Sequence, residues 1–284
     1  MTVGPIDWSR ELSRPDLQPD GRHVHPRRDD GESLSLIPKI IHQMWYQGIS
    51  SLPEKYRRYQ ASWQRHHPDW SFRFWDGPAL RSHIADHQPW YREKYESLAS
   101  VRERMNVARY CLLGSLGGFY VDMDIECLRP IDVLLHGHDL ILSKTAGYNC
   151  AIMGGCSAHV LWQTIFDNLR DGRTASLDNE PPWLRSSSKL QIAASVGPRF
   201  FDMSVRQSGA ATAPGTLNCP GYFFEPGSPG SGRRKHEIED SFGRHDMDMT
   251  WLSPSARVLA KLSAVVLPTL VDAKSRVMRR RTPG

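Results

Sequence analysis

An α/β fold built on a sheet with helical crossovers is what this chain of 284 residues predicts. Two observations carry that expectation. Short apolar or alternating runs of strand length take turns with segments of helical period, which is the pattern of crossover-linked strands. One of those strands, Phe119 to Val121, runs directly into Asp122-Met123-Asp124, and ligands of such sheets bind beyond the strand ends.

In chain order, Lys39–Tyr46 reads as a buried first strand, and Pro53–His67 as a helix stopped before Pro68. Trp70–Trp75 alternates as a second strand, and Pro78–Asp86 forms a short helix. Val101, Met105, Ala108, Leu112 and Leu116 recur at helical spacing, so Ser100–Gly118 is a helix that Gly117-Gly118 ends. After the aspartates come strands at Asp139–Ser143 and Asn149–Met153, then a helix over Ala158–Leu169. From Arg173 to Gly232 the periodicity thins. Pro181-Pro182, Gly197-Pro198 and the Gly/Ser/Pro-rich run Pro226–Gly232 read as turns and loops. Met1 to about Leu34 is polar and mixed in charge, which predicts a disordered lead over 1–34.

The Asp-x-Asp stretch is the most informative part of the chain. Strand geometry would place Asp122 and Asp124 on one face, and two close carboxylates repel unless a cation lies beside them. Oxygen ligands of this kind suit Mg²⁺ or Mn²⁺, ions that also bind diphosphates. Taken alone, the pair reads equally as two solvated carboxylates at a strand end. Asn106 and Arg109, three apart, share one face of the preceding helix. By itself Arg109 is an ordinary surface cation; beside a metal–diphosphate site it is a ligand for an anion or a sugar hydroxyl. An apolar strand leading into Asp-x-Asp also fits a phosphatase of the haloacid-dehalogenase type, with Asp122 as nucleophile and Asp124 as acid/base. A non-catalytic carbohydrate-binding protein is a third reading.

Composition bounds the field. The chain is long enough for one enzyme-sized domain, and its net charge of +5 is compatible with anionic ligands without requiring them. No basic patch interleaved with aromatics marks a nucleic-acid module. Five cysteines, an odd number without paired spacing, argue against a disulfide scaffold. The N-terminus has no apolar signal region, and no segment reaches the length of a membrane span.

Several blocks, in order, resemble glycosyltransferase family 32. The opening strand Ile37-Pro38-Lys39-Ile40-Ile41-His42-Gln43-Met44-Trp45 is one. A second runs from Asn106-Val-Ala-Arg109-Tyr through Leu112-Leu113, Gly117-Gly118, Tyr120 and Asp122-Met-Asp124 to Glu126-Cys127-Leu128-Arg129-Pro130. Family members include fungal-type α-mannosyltransferases and bacterial relatives. The resemblance implies a GT-A-like nucleotide-sugar-binding domain with a mixed, mostly parallel sheet, spanning 35–254. It implies a metal-dependent, retaining transfer of a hexose from a nucleotide-diphosphate sugar to a glycan or lipid-linked acceptor. Asp122, Asp124 and Arg109 are the implied catalytic residues, and Trp45, Asn106, Asn149 and Tyr120 the implied donor contacts, with Trp45 stacking on the base. His245 to Trp251 is similar to the family's histidine-to-Ser-Trp motif, with Thr250 in place of serine. The implied metal set for Mn²⁺ or Mg²⁺ is therefore Asp124, Asp122, His245 and Thr250, with Asp246 and Asp248 as further candidates. One departure is Asn106, where the family has aspartate: the amide accepts a hydrogen bond but adds donors and removes a charge. Many eukaryotic relatives carry a membrane anchor, so the chain is expected to be a bacterial, cytoplasmic member.

The last segment, 255–284, predicts a helix with a basic tail. Val258, Leu259, Leu262, Val265 and Val266 form one apolar face before Pro268, and Arg276, Arg279, Arg280 and Arg281 follow. It either docks on the domain or makes a peripheral membrane contact at the inner face.

Overall fold

The computed structural model describes residues 36–226 and 240–247. Its strands are β1 (Ile40–Met44), β2 (Ser71–Trp75), β3 (Gly118–Val121), β4 (Ile125–Cys127), β5 (Leu140–Lys144), β6 (Tyr148–Gly155), β7 (Thr216–Pro220) and β8 (Gly243–His245). Six of them form one sheet in the order β2-β1-β3-β6-β5-β7, while β4 and β8 make a separate two-stranded ribbon. β6 is antiparallel to β3 and β5, and the remaining pairs in the large sheet are parallel. This is the mixed, mostly parallel α/β sheet that the sequence implied.

Helices cover both faces: α1 (Glu54–His66), α2 (Gly77–His87), α3 (Arg92–Ser97), α4 (Val101–Leu116), α5 (Val160–Arg170), α6 (Pro182–Arg185), α7 (Ser188–Ser195) and α8 (Pro198–Gln207). α1 buries Tyr56, Tyr59 and Trp63 at helical spacing against one side. α4 begins with a reciprocal capping box between Ser100 and Glu103, and its middle, Asn106 to Leu113, is buried without interruption. A helix hydrophobic along most of its surface must lie between layers, and α4 packs with α2 and α5 over the sheet. It ends at Gly117, with φ of 64°, and turns into β3 through Gly118, with φ of 96°. A side chain at Gly118 would put its Cβ 2.6 Å from the Ile40 carbonyl oxygen, so the helix can feed a central strand this tightly only with glycine there. All five cysteines are free thiols.

The expected elements up to residue 170 are present, with their ends adjusted by a few residues. The two strands expected at 139–143 and 149–153 form an antiparallel hairpin with a register shift at Leu142/Ser143. Beyond Arg173, the reading of mainly turns needs correction. Gly197-Pro198 is the N-cap and first residue of α8, since proline at the first helical position is as natural as proline in a turn. α7 and β7 also lie in that stretch. The expected segments 1–34 and 255–284, together with Asp248 and Thr250, fall outside the described residues.

Two buried histidines lock the β1–β2 side. His42 donates from Nε2 to the Gly117 carbonyl at 2.9 Å and accepts from Trp75 Nε1 at 3.1 Å on Nδ1. His83 bonds Ser115 Oγ through Nε2 at 2.8 Å. Burial pushes each pKa down to about 4. The unfolded chain therefore takes up protons between about pH 6.5 and 4 that the folded chain refuses, so stability falls as pH drops through that window. The loss is up to about 3 kcal/mol for each histidine. Urea midpoints measured from pH 7 to 4 are expected to fall less steeply in His42→Gln than in the wild type; parallel slopes would contradict this.

Candidate active site

Because β1, β3, β5 and β7 run in parallel, their carboxyl ends gather along one edge of the sheet. Trp45 follows β1, Asp122 follows β3, and Glu225 lies just beyond β7. Asn149 comes from the start of β6, which runs the other way. The site stands where an open α/β sheet offers ligands a crevice.

The aspartates do not continue the strand, which corrects the expectation from strand alternation. The Asp122 amide donates to the Ala151 carbonyl at 2.8 Å, and the Ile125 amide then closes a turn onto the Asp122 carbonyl at 3.2 Å. It is this turn that brings Asp122 and Asp124 together. β4 starts there and is fastened to α1: Trp63 Nε1 donates to the Ile125 carbonyl at 2.8 Å, and Ser62 Oγ accepts from the Cys127 amide at 2.9 Å. β4 pairs antiparallel with β8, placing His245 opposite Ile125, and the Asp246 amide donates to the Asp124 carbonyl at 3.0 Å.

As a result, Asp122, Asp124 and His245 each offer one ligand atom, all within 4.8 Å of one another. His245 Nε2 is 3.3 Å from Asp124 Oδ1, and its Nδ1 is 3.0 Å from Glu225 Oε1. Burial would lower the His245 pKa, but hydrogen bonds to Asp124 and Glu225 outweigh it and raise the value to about 10. These carboxylates thus create a place that stabilises positive charge. Two carboxylates and an imidazole fit a divalent cation.

The other wall is cationic. Arg109, on the buried face of α4, donates from Nη1 to the Cys150 carbonyl at 2.7 Å and lies 4.7 Å over the Tyr120 ring. Its Nη2 is 3.5 Å from Asp122 Oδ1, which also accepts from Tyr120 Oη. Burial pulls the Arg109 pKa down, but the Asp122 charge more than reverses this, so the guanidinium stays protonated. Burial also pushes the Asp122 carboxyl up, with Arg109 opposing and Asp124 adding to the rise. The Asp122 side chain keeps 26% of its surface exposed.

The remaining predicted residues divide. Asn106 is nearly buried, and its amide makes no hydrogen bond among the described residues; its Nδ2 stands beside Gly197 at the start of α8. Trp45 is half-buried, bonds Ser51 Oγ through Nε1 at 3.0 Å, and packs with Tyr56 in the cluster that holds Met123, between the two aspartates. Asn149 reaches the site, but its amide is engaged by protein: Oδ1 accepts from the Ala151 amide at 2.8 Å and Nδ2 donates to Glu225. Asp246 lies outside the three-ligand group, held by Lys55 Nζ at 2.6 Å and Tyr59 Oη. Glu225, buried against His245, had no signal in the sequence beyond a carboxylate following two phenylalanines.

Residues 53–141 match the family described as the glycosyltransferase sugar-binding region containing a DXD motif. Over residues 53–141 the chain is therefore similar in sequence to DXD-type glycosyltransferases, in line with the resemblance to family 32. Inositol phosphoceramide mannosyltransferase 3 of Schizosaccharomyces pombe is 35% identical over 136 residues, covering 48% of this chain and 38% of that protein. An uncharacterized glycosyltransferase, L373, of Acanthamoeba polyphaga mimivirus is 27% identical over 178 residues, covering 61% and 66%. The chain thus spans less than half the length of the fungal relative. Among solved structures, the ligand-free glycosyltransferase domain from the YGT toxin aligns with a TM-score of 0.51 at 8% identity, covering 64% of this chain and 80% of that one. That likeness supports the GT-A type of fold.

Arg109 ties helix, hairpin and aspartate turn together. Arg109→Lys keeps the charge but loses the planar fork and the stack on Tyr120. Stability is expected to drop by about 1–3 kcal/mol in urea unfolding. Wild-type unfolding would show that the guanidinium is not a structural anchor.

Proposed function

We propose that the protein transfers a hexose from a nucleoside-diphosphate sugar to a hydroxyl of a glycan or lipid-linked acceptor, with a divalent cation, Mn²⁺ or Mg²⁺, held by Asp124, Asp122 and His245. The observation that carries this is the convergence of those three ligand atoms at the carboxyl edge of a DXD-type sheet. The named fungal relatives are mannosyltransferases, which makes mannose the first donor sugar to try.

Within this reading the cation, when bound, neutralises charge developing on the departing diphosphate. Asp122, oriented by Arg109 and Tyr120, holds the ribose or sugar hydroxyls and shares the cation with Asp124. Arg109 keeps positive charge at the hexose side, and Asn106 offers it a side-chain amide that is unbonded among the described residues. Trp45 borders the aspartate turn as a stacking surface for the base. The C1–phosphate bond breaks and a C1–acceptor oxygen bond forms on the same face. The acceptor's proton passes to the departing phosphate, so no protein base is assigned. Retention follows from the family resemblance. A phosphatase reading would need Asp122 as a free nucleophile, yet its Oδ1 accepts from Tyr120 and faces Arg109.

Nucleoside-diphosphate release from a panel of GDP-mannose and UDP-hexoses with Mn²⁺ tests the reaction. One donor is expected to turn over, and Asp124→Ala to lower kcat by at least about 100-fold. No turnover with any donor and a range of glycan and lipid acceptors would overturn it.

Among the described residues, no helix is long and apolar enough to cross a membrane. A cytoplasmic placement, with peripheral contact through 255–284, belongs to the same proposal and rests on the amphipathic, arginine-ended sequence there. Flotation with anionic vesicles is expected to be lost on deleting 255–284; unchanged flotation would remove this part.

A further inference from the structure

We propose that Glu225, itself held by Asn149, is a positioning carboxylate that fixes the His245 ring with Nε2 turned to Asp124 and the cation. This rests on the metal reading of Asp122, Asp124 and His245, and goes beyond it by assigning two residues that never touch the ion. An imidazole ligand is useful only if the correct nitrogen faces the metal, and a ring free to rotate presents either nitrogen or a carbon. A carboxylate accepting from Nδ1 removes that freedom and makes Nε2 the donor atom. Glu225 Oε1 lies 3.0 Å from Nδ1, and its side chain is 4% exposed against 12% for His245.

Glu225 is in turn over-determined. The Ala151 amide donates to Asn149 Oδ1 at 2.8 Å, and this settles which end of the Asn149 amide is oxygen. The opposite end must then be the donor, and it meets Glu225 Oε1. A carboxylate at 225 is therefore the acceptor for two donors, one from the hairpin and one from the ligand histidine.

The backbone adds a second restraint. Glu225 donates from its amide to Gly221 at 2.7 Å. Just before it in the chain, the Phe223 carbonyl accepts from the Phe242 amide at 2.7 Å and the Phe224 carbonyl accepts from the His245 amide at 3.0 Å. Phe223, Phe224 and Phe242 are fully buried beneath this pairing. Carboxylate and imidazole thus sit on adjoining backbone segments that cannot drift apart without opening the aromatic core. Such supporting groups typically contribute 10- to 100-fold to metal affinity.

The test is Mn²⁺ alone, titrated into the full chain, with free Mn²⁺ read by electron paramagnetic resonance and folding checked by circular dichroism. Glu225→Ala is expected to weaken binding by about 10- to 100-fold. Glu225→Gln, which keeps an acceptor for Nδ1, should recover part of that loss, and Asn149→Ser should give a smaller loss. In a His245→Ala background, Glu225→Ala should add nothing. Wild-type affinity in folded Glu225→Ala would overturn the proposal, as would an equal further loss without His245, which would mean that Glu225 acts on its own. If Glu225→Ala does not fold, the Asn149→Ser and Glu225→Gln titrations decide the same question. A wild type that ignores Mn²⁺, or binds it unchanged by Asp124→Ala and His245→Ala, would sink the metal reading itself. That outcome is distinct from a metal site that does not need Glu225.

Discussion

The antiparallel pairing of β4 with β8 is the constraint on which the site depends. β4 is only three residues long and follows the aspartates directly, so whatever fixes β4 fixes Asp124. Trp63 and Ser62 of α1 fix it from one side, and β8 from the other. The register of that ribbon sets His245 opposite Ile125 and therefore beside Asp124. A shift by one residue would turn His245 to the other face of the ribbon and put Arg244 or Asp246 in its place. Backbone pairing, more than side-chain attraction, makes a ligand set out of residues far apart in the chain.

Charge then determines what the crevice favours. Asp122, Asp124 and Glu225 are crowded into a partly buried space, which is costly for anions unless positive charge answers it. Arg109 answers at Asp122, and the His245 imidazolium lies between Asp124 and Glu225. The two cations differ in kind. Arg109 is anchored by Cys150 and Tyr120 and is permanently charged, so it is fixed architecture. His245 can lose its proton and become a neutral ligand, so it can yield its place to a metal ion. Under the proposed function, that division is what would let the site be stable in itself and still accept a dication carrying a diphosphate.

Much of this was legible in the sequence because it was local. The helix ending at Gly117, the strand of Phe119–Val121 and the Asp-x-Asp lie in one continuous stretch, while Arg109, by periodicity alone an ordinary surface cation, proves to be buried against Asp122. The resemblance to family 32 added His245, which spacing alone could not tie to the aspartates. What stayed hidden depended on tertiary pairing. Asp122 and Asp124 come together through a turn, not through strand alternation. Asn149 serves Glu225 instead of presenting a free amide, because the Ala151 amide dictates its orientation. Glu225 itself sits past β7 and a short turn over Gly221–Phe223, outside any periodic element, and its partners come from other parts of the chain. The helices after Arg173 were hidden for a different reason: Gly-Pro and Pro-Pro open helices as readily as they make turns.

The most direct test of the central claim is anomalous diffraction at the manganese edge from crystals soaked in MnCl₂ and a nucleoside diphosphate. One peak is expected among Asp122, Asp124 and His245, bridged to the diphosphate, with the His245 ring turned so that Nε2 faces it and Nδ1 stays on Glu225. A peak elsewhere, or diphosphate bound in the crevice with no manganese between it and the aspartates, would contradict the account.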